Sequence, residues 1–296
     1  MQTKALQSDL LLLLTAAIWG FAFVAQIVGM DHMGPFFFNA SRFTLGFLSL
    51  LPVYFILERK VKQTTPIEYD NQALLMWGPV TGIVLFAASS LQQVGLLYTT
   101  AGNSGFITGF YLILVPILGI WLGHSTRPAT WVGAALALTG LYFLTAQEGP
   151  SSINKGDLLT LGSAGFYAIQ ILLIGWLARK VHPLRLSLVQ FLVCAILSMV
   201  VALLFETVSI EAIQASLIPL LYTGIMSSSV AFTFQIIAQK HAPSSHAAII
   251  MSLEAVFAVI GGWLLLSESM GTRGLAGCAL MMTGMLLSQL RRSPKA

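Results

Sequence analysis

The sequence has few charged residues. Only 9% of its 296 residues are Asp, Glu, Lys or Arg, whereas 56% are hydrophobic and the mean hydropathy is +0.84. A soluble domain carries roughly a quarter charged residues, because its surface must face water. The composition therefore excludes an ordinary soluble globule and predicts an all-α integral membrane protein whose partner is the lipid bilayer.

Cysteine and the common chemical motifs are also scarce. The two cysteines, Cys194 and Cys278, lie in apolar runs and predict no disulfide. No HExxH metal motif is present, so we predict no metal and no cofactor. The formal net charge is +4, but the basic residues are scattered between apolar runs and form no basic face. A nucleic-acid partner is therefore excluded.

What the chain does contain is a series of long apolar runs. A helix needs about 20 apolar residues to cross the hydrocarbon core of a bilayer. With that window we predict ten spans, at residues 8–28, 35–57, 73–96, 102–123, 129–147, 156–178, 184–205, 215–239, 244–267 and 273–290.

The distribution of basic residues predicts the orientation of these spans. Lys and Arg concentrate in loops that face the cytoplasm. With the N-terminus inside, twelve of the fifteen Lys and Arg lie in cytoplasmic segments, and only Lys155 and Arg273 lie in outer loops. Arg42 falls within the second span. The count predicts a multi-pass protein of the cytoplasmic membrane with both termini in the cytoplasm.

The sequence repeats itself weakly, which predicts two halves, residues 1–148 and 149–296. Because each half would hold five spans, an odd number, the second half enters the membrane inverted relative to the first. Inverted repeats are typical of transporters that alternate between outward-facing and inward-facing shapes. A shift of 148 residues aligns Ser8–Leu11 with Gly156–Leu159, and a shift of 142 aligns Thr81–Ile83 with Thr223–Ile225 and Gln93 with Gln235.

Several segments resemble the EamA family of the drug/metabolite transporter superfamily. They are Leu253-Glu254-Ala255-Val256-Phe257-Ala258 with Leu264–Glu268, Ala17-Ile18-Trp19-Gly20, Asn39–Phe43, and Gly105–Gly109 with Val115–Ile117. The resemblance covers nearly the whole chain and implies a carrier fold, without indicating which solute is carried. The first half has Gly123-His124-Ser125 where the second has the turn ending at Glu268, so that acid occurs only once.

Two ionisable residues lie well inside the predicted spans. Glu254 is about 15 Å from the cytoplasmic end of its span, and Arg42 is about 10 Å from the outer end of its own, at 1.5 Å per residue. Charges in hydrocarbon are costly, so each requires a function or a structural partner. Glu254 could bind protons or substrate and Arg42 a substrate carboxylate, or both could be structural tethers.

Uncharged polar and aromatic residues form stripes along several spans. We expect the stripes to face inward, because a lipid-facing amide would leave its hydrogen bonds unmade. They can line a substrate pocket or tie helices together. The candidate substrate-binding residues, besides Arg42 and Glu254, are Trp19, Gln26, Gln93, Thr108, Tyr111, Tyr167, Gln170 and Gln235.

The pattern favours a secondary transporter that moves a small metabolite, amino acid or drug-like solute by alternating access, with protons as a candidate coupling ion. Two alternatives stay open. A serine-type intramembrane enzyme would need a base near Ser104, but the repeat register places His246 at the opposite side of the membrane. A channel would need a selectivity filter or a ring of charges, and the sequence contains neither. The sequence does not determine the oligomeric state.

The charge count makes a prediction about topology. Reporter domains fused after Lys62, Arg127 or Lys180 should be cytoplasmic, and those fused near Asp31 or Glu211 should be external. Alkaline phosphatase and fluorescent-protein fusions measure the two locations. One clear inversion among the five would contradict the arrangement of ten spans.

Overall fold

The computed structural model describes residues 2–61, 69–123, 128–145, 155–265 and 271–289. These residues are helical apart from short connections, and they contain no β-strand. The helices are α1 Gln2–Gly29, α2 Pro35–Val61, α3 Asn71–Gly95, α4 Ala101–Thr108, α5 Tyr111–Trp121, α6 Pro128–Thr145, α7 Lys155–Leu177, α8 Pro183–Phe205, α9 Ile210–Ala215, α10 Leu217–Leu221, α11 Phe232–Gln239, α12 Ser244–Met251, α13 Glu254–Leu265 and α14 Thr272–Gln289. A π-helical segment, Tyr222–Ala231, joins α10 to α11.

Eight stretches of the described chain are long and apolar enough to cross a membrane. The chain is therefore a multi-pass membrane protein, as the composition predicted. Two further helices, α6 and α14, are 18 residues long and pack extensively against each other. Lys62, Arg127, His124, Arg291, Arg292 and Lys295, and the turn at Ser267–Glu268, lie outside the described residues.

Three of the predicted spans are interrupted. Predicted span 102–123 is divided by a turn at Gly109–Phe110, and predicted span 244–267 by a turn at Ser252–Leu253. At both turns the amides bond to carbonyls three residues back, for example Leu112 N–H to Gly109 O at 3.0 Å. Predicted span 215–239 contains the π-helical segment. Hydropathy reports side-chain composition alone, so it does not register such changes in backbone hydrogen bonding.

The most extensive helix contacts join the N-terminal and C-terminal parts of the chain. α2 packs against α8, α3 against α7 and α8, and α1 against α13. At the end of the α2–α8 pair, the Glu206 carboxylate accepts hydrogen bonds from Phe36 N–H and Phe37 N–H, at 3.0 and 2.7 Å. A carboxylate stabilises a helix N-terminus because the first amides have no partner within the helix.

Glycine allows α6 and α14 to approach closely. A Cβ added at Gly140 would lie 2.5 Å from the backbone oxygen of Gly277, and one added at Gly284 would lie 2.5 Å from that of Gly133. Small residues at a helix contact let two backbones come together, which is how membrane helices commonly associate. At these glycines the backbones of α6 and α14 are in close contact.

This contact predicts the effect of adding one methyl group. Gly140→Ala should destabilise the protein by about 1–3 kcal/mol. The added methyl group would meet backbone atoms of α14, which cannot move aside as the end of a flexible side chain can. Gly165→Ala is the matched control, because nothing lies within 4 Å of its added Cβ. The temperature at which half of the detergent-solubilised protein stays monodisperse measures the difference. Equal midpoints for the two variants would contradict the close packing.

Candidate functional site

The interrupted helices surround one cavity in the interior of the bundle. Its volume is about 460 Å³, including the part that is open. Irregular backbone is tolerated inside a membrane protein only where it is buried in protein or lines a cavity. Eight helices and the π-helical segment contribute the lining, which consists of Trp19, Ala22, Phe23, Gln26, Arg42, Gln92, Thr108, Tyr111, Tyr167, Gln170, Ile171, Ser227, Phe232, Gln235 and Glu254.

Arg42 is held in place by α1. Its side chain, 3% exposed, donates from Nη1 to Gln26 Oε1 at 3.0 Å. Gln26 in turn donates from Nε2 to the Ala22 carbonyl oxygen at 3.0 Å. The Arg42 Nε is buried and makes no hydrogen bond to any described residue. A guanidinium offers five N–H donors in a planar fork, so Arg42 keeps donors for a ligand while Gln26 orients it.

Glu254 is the first residue of α13 and directly follows the turn at Ser252–Leu253. Its side chain is 3% exposed, and within the described chain its Oε1 makes no hydrogen bond. The Tyr111 hydroxyl faces the same cavity and lies beside this carboxyl, with which it interacts. Buried carboxylates are costly unless they are paired or neutralised, so a proton or a cationic ligand would stabilise this carboxyl.

The two ionisable residues share the cavity without pairing to each other. In the described part of the chain, no ion pair within 4.0 Å joins Arg42 to Glu254. A structural ion pair in such a dry environment would be expected to bring the guanidinium and the carboxylate into contact. The cavity therefore presents one cationic group and one acidic group that are both available to a ligand.

Amide side chains tie the cavity wall together. Tyr167 donates its hydroxyl to Gln92 Oε1 at 3.3 Å, and Gln92 donates from Nε2 to Thr108 Oγ1 at 3.1 Å. This chain of bonds links α7, α3 and α4. A second amide bond, from Gln235 Nε2 to Gln170 Oε1 at 3.1 Å, links α11 to α7. The polar groups of the wall are thus held in defined positions, as a selective site requires.

An aromatic surface adjoins these amides. The Trp19 indole N–H donates to the Ser227 carbonyl oxygen at 3.2 Å, and its ring centroid lies 4.7 Å from that of Phe232. Ser227 belongs to the π-helical segment, where the backbone departs from the usual bonding pattern. Phe23 extends the apolar surface. The cavity combines apolar area with a few oriented polar groups, as small-molecule sites do.

The structure brings together nine of the ten residues that the sequence singled out. They are Trp19, Gln26, Arg42, Thr108, Tyr111, Tyr167, Gln170, Gln235 and Glu254. The tenth, Gln93, is buried but lies outside the cavity lining, and its neighbour Gln92 lines the cavity instead. Successive helical residues point about 100° apart, so a small error in the assumed orientation of α3 exchanges one glutamine for the other.

Sequence reasoning also missed Ser227, and other polar residues of the spans tie helices together. Ser227 gives no periodic signal, because the π-helical segment changes the angle between successive residues. Ser163 on α7, one helical turn before Tyr167, donates to the Ala88 carbonyl oxygen of α3 at 2.8 Å. His246 contacts Asp9 at 2.8 Å rather than Ser104. The serine–histidine pair that an intramembrane enzyme would need is therefore not formed by these two residues.

Comparison with known proteins decides the family. A sequence model of the EamA-like transporter family matches this chain twice, over residues 6–146 and 154–290. The chain belongs to this family. The resemblance noted in the motifs is thus confirmed over nearly the whole length.

Individual relatives agree with this assignment. An uncharacterized transporter of Archaeoglobus fulgidus is 35% identical over 292 residues, which span 97% of this chain and 87% of the relative. The threonine/homoserine exporter RhtA of Escherichia coli strain K12 is 30% identical over 203 residues, 60% of this chain and 65% of the exporter. A solved crystal structure matches with a TM-score of 0.77 and 20% identity, over 95% of this chain and 96% of that one, which shows the fold alone.

These matches establish the broad function. The protein is a transporter of the EamA-like family that moves a small solute across a membrane. Its family and its relatives are transporters, which are not enzymes.

Proposed function

We propose that the cavity is the transport site and that its solute is a small zwitterion, such as a neutral amino acid. The observation that carries this proposal is the placement of Arg42 and Glu254 on one buried cavity with no ion pair between them. A solute with a carboxylate and an ammonium group complements both charges at once. Neither a purely anionic nor a purely cationic solute would do so.

Each end of such a solute finds suitable chemistry. Its carboxylate accepts hydrogen bonds from the Arg42 guanidinium, which Gln26 already orients. Its ammonium group donates to the Glu254 carboxylate, whose Oε1 has no partner among the described residues. Its carbon atoms contact the aromatic surface of Trp19, Phe23 and Phe232. The name of the threonine/homoserine exporter relative supports the same class of solute.

The fold that carries this site consists of ten spans arranged as two inverted halves, residues 1–148 and 149–296. The helices α6 and α14 complete the ten, in addition to the eight long apolar stretches. Two features support the division. The family model matches once in each half, and the turns at Gly109–Phe110 and Ser252–Leu253 occur at nearly equivalent positions in the two halves.

The two halves are joined by contacts near the start of the first helix of each. Asp9 on α1 contacts His246 on α12 at 2.8 Å, and Asp157 on α7 accepts a hydrogen bond from Thr99 at 3.0 Å. Asp9 and Asp157 are equivalent under the 148-residue shift, so in the inverted arrangement they lie at opposite sides of the membrane. Alternating access breaks one contact while the other holds.

The membrane is the cytoplasmic membrane, and both termini are in the cytoplasm. The sequence count of basic loops supports this orientation. Basic residues also gather at one end of the structure. Partial burial, together with the nearby charges of Lys4, Lys240 and Arg179, lowers the pKa of His241, so these three residues from separate helix ends share one end of the bundle.

Protons couple to transport through Glu254. The residue at the corresponding position of the first half is Leu112, so an acid is not required merely to build the repeat. Glu254 can exchange a proton for the solute ammonium group as the cavity alternates between its two accessible sides. The proton and the solute then compete for one carboxylate, which links their movements.

The zwitterion proposal predicts a pattern of inhibition. In proteoliposomes, exchange of radiolabelled threonine should be inhibited by other small neutral amino acids. Threonine methyl ester, which lacks the carboxylate for Arg42, and N-acetylthreonine, which lacks the ammonium for Glu254, should compete at least about tenfold more weakly, because each leaves a buried charge unpaired. Liposomes without protein are the control. Equal inhibition by the three types of compound would overturn the proposed solute class.

The coupling role of Glu254 predicts a selective defect. Glu254→Gln should remove the acceleration of transport by a proton gradient, because the carboxamide does not titrate. Exchange at saturating solute should continue, since the carboxamide oxygen still accepts a hydrogen bond from the ammonium group. Glu211→Gln, at an exposed position of α9, is the control and should behave as the parent protein. If Glu254→Gln keeps full gradient-driven transport, Glu254 is a structural tether.

A further inference from the structure

One amide pair in the cavity wall has a hydrogen-bonding capacity that the protein does not use. Gln170 on α7 and Gln235 on α11 are both 0% exposed, and both line the cavity. Gln235 Nε2 donates to Gln170 Oε1 at 3.1 Å. The other two atoms, Gln170 Nε2 and Gln235 Oε1, are buried and make no hydrogen bond to any residue that the structure describes.

This unused capacity does not depend on how each amide is turned. The oxygen and nitrogen of a glutamine are assigned from the surrounding hydrogen bonds, and the two amides could both be reversed. After reversal, Gln170 would donate to Gln235, and the free atoms would be the Gln170 oxygen and the Gln235 nitrogen. In either orientation, the pair leaves one donor group and one acceptor atom available.

We propose that this pair is a side-chain subsite that selects solutes carrying a hydroxyl group. A hydroxyl both donates and accepts a hydrogen bond, so it satisfies the free acceptor and the free donor together. An apolar side chain of the same shape would satisfy neither. This inference rests on the proposed function, because it concerns the side chain of the zwitterion whose charged ends face Arg42 and Glu254.

The position of the pair in the fold suits this role. Arg42 and Glu254 are presented by α2 and α13, whereas the amide pair is presented by α7 and α11. The charged ends of the solute and its side chain are therefore recognised by different helices. A site built to hydrogen-bond a hydroxyl rejects the analogue that lacks it much more strongly than an apolar pocket rejects an added methylene, because buried polar groups are left unpaired.

A structural role for the pair makes a different prediction. If the bond between Gln170 and Gln235 only ties α7 to α11, its loss should reduce stability without changing which solutes are preferred. A substitution that removes one amide thus separates the two roles, provided that preference is measured as a ratio. Two solutes compared in the same preparation give a ratio that is independent of the amount of folded protein.

Threonine and valine are the appropriate probes, since they have nearly the same shape and differ in one hydroxyl. In proteoliposomes, the kcat/KM for threonine exchange should exceed that for valine by at least about tenfold in the parent protein. In Gln170→Leu and in Gln235→Leu, the ratio should fall toward one. If a leucine variant fails to fold, Gln170→Met and Gln235→Met, with unbranched side chains of similar length, serve in its place.

Gln190→Leu is the matched control. Gln190 is also 0% exposed and makes no amide hydrogen bond to a described residue, but it lies outside the cavity lining. Its replacement should leave the ratio at the parental value. A parental ratio near one, or a ratio that persists in both amide variants, would overturn the subsite while leaving zwitterion transport intact. Failure of the parent protein to transport any neutral amino acid would instead overturn the proposed function, and the subsite with it.

Discussion

Hydrocarbon cannot form hydrogen bonds, and this constraint governs the whole structure. Every polar group within a membrane-spanning bundle must find its partner inside the protein. The guanidinium of Arg42 therefore binds Gln26, whose own amide binds the Ala22 carbonyl oxygen. Where a buried polar atom on the cavity has no such partner among the described residues, as at Glu254 Oε1, a ligand can supply one.

The same constraint explains where the backbone is irregular. Turns divide α4 from α5 and α12 from α13, and a π-helical segment precedes α11. Five of these six elements line one cavity, through Thr108, Tyr111, Ser227, Phe232 and Glu254, and only α12 does not. Departure from regular helix geometry is tolerated there because the turns keep their amides bonded to carbonyls three residues back.

Many polar residues of the spans serve as interhelical ties rather than as site residues. Thr15 donates to the Ala231 carbonyl oxygen at 3.2 Å, Ser216 to that of Gly29 at 2.9 Å, and Gln239 to that of Ile171 at 2.9 Å. These three residues lie outside the cavity lining, so their hydrogen bonds join helices rather than contact a solute. The candidate site residues differ because Arg42, Glu254, Gln170 and Gln235 line the cavity and each also has an atom with no hydrogen-bond partner in the described chain.

The sequence by itself determined the membrane class, the positions of the long apolar helices, the family, and nine of the residues that line the cavity. It could do so because polar residues are costly in apolar runs, so the few that occur stand out and repeat with the period of a helix. Only the tertiary structure decided that Gln92 rather than Gln93 faces the cavity, that Ser227 joins it, and that Gln170 pairs with Gln235. These features depend on helix rotation, on local changes in backbone hydrogen bonding and on contacts between residues 65 positions apart, none of which is encoded in local composition or periodicity.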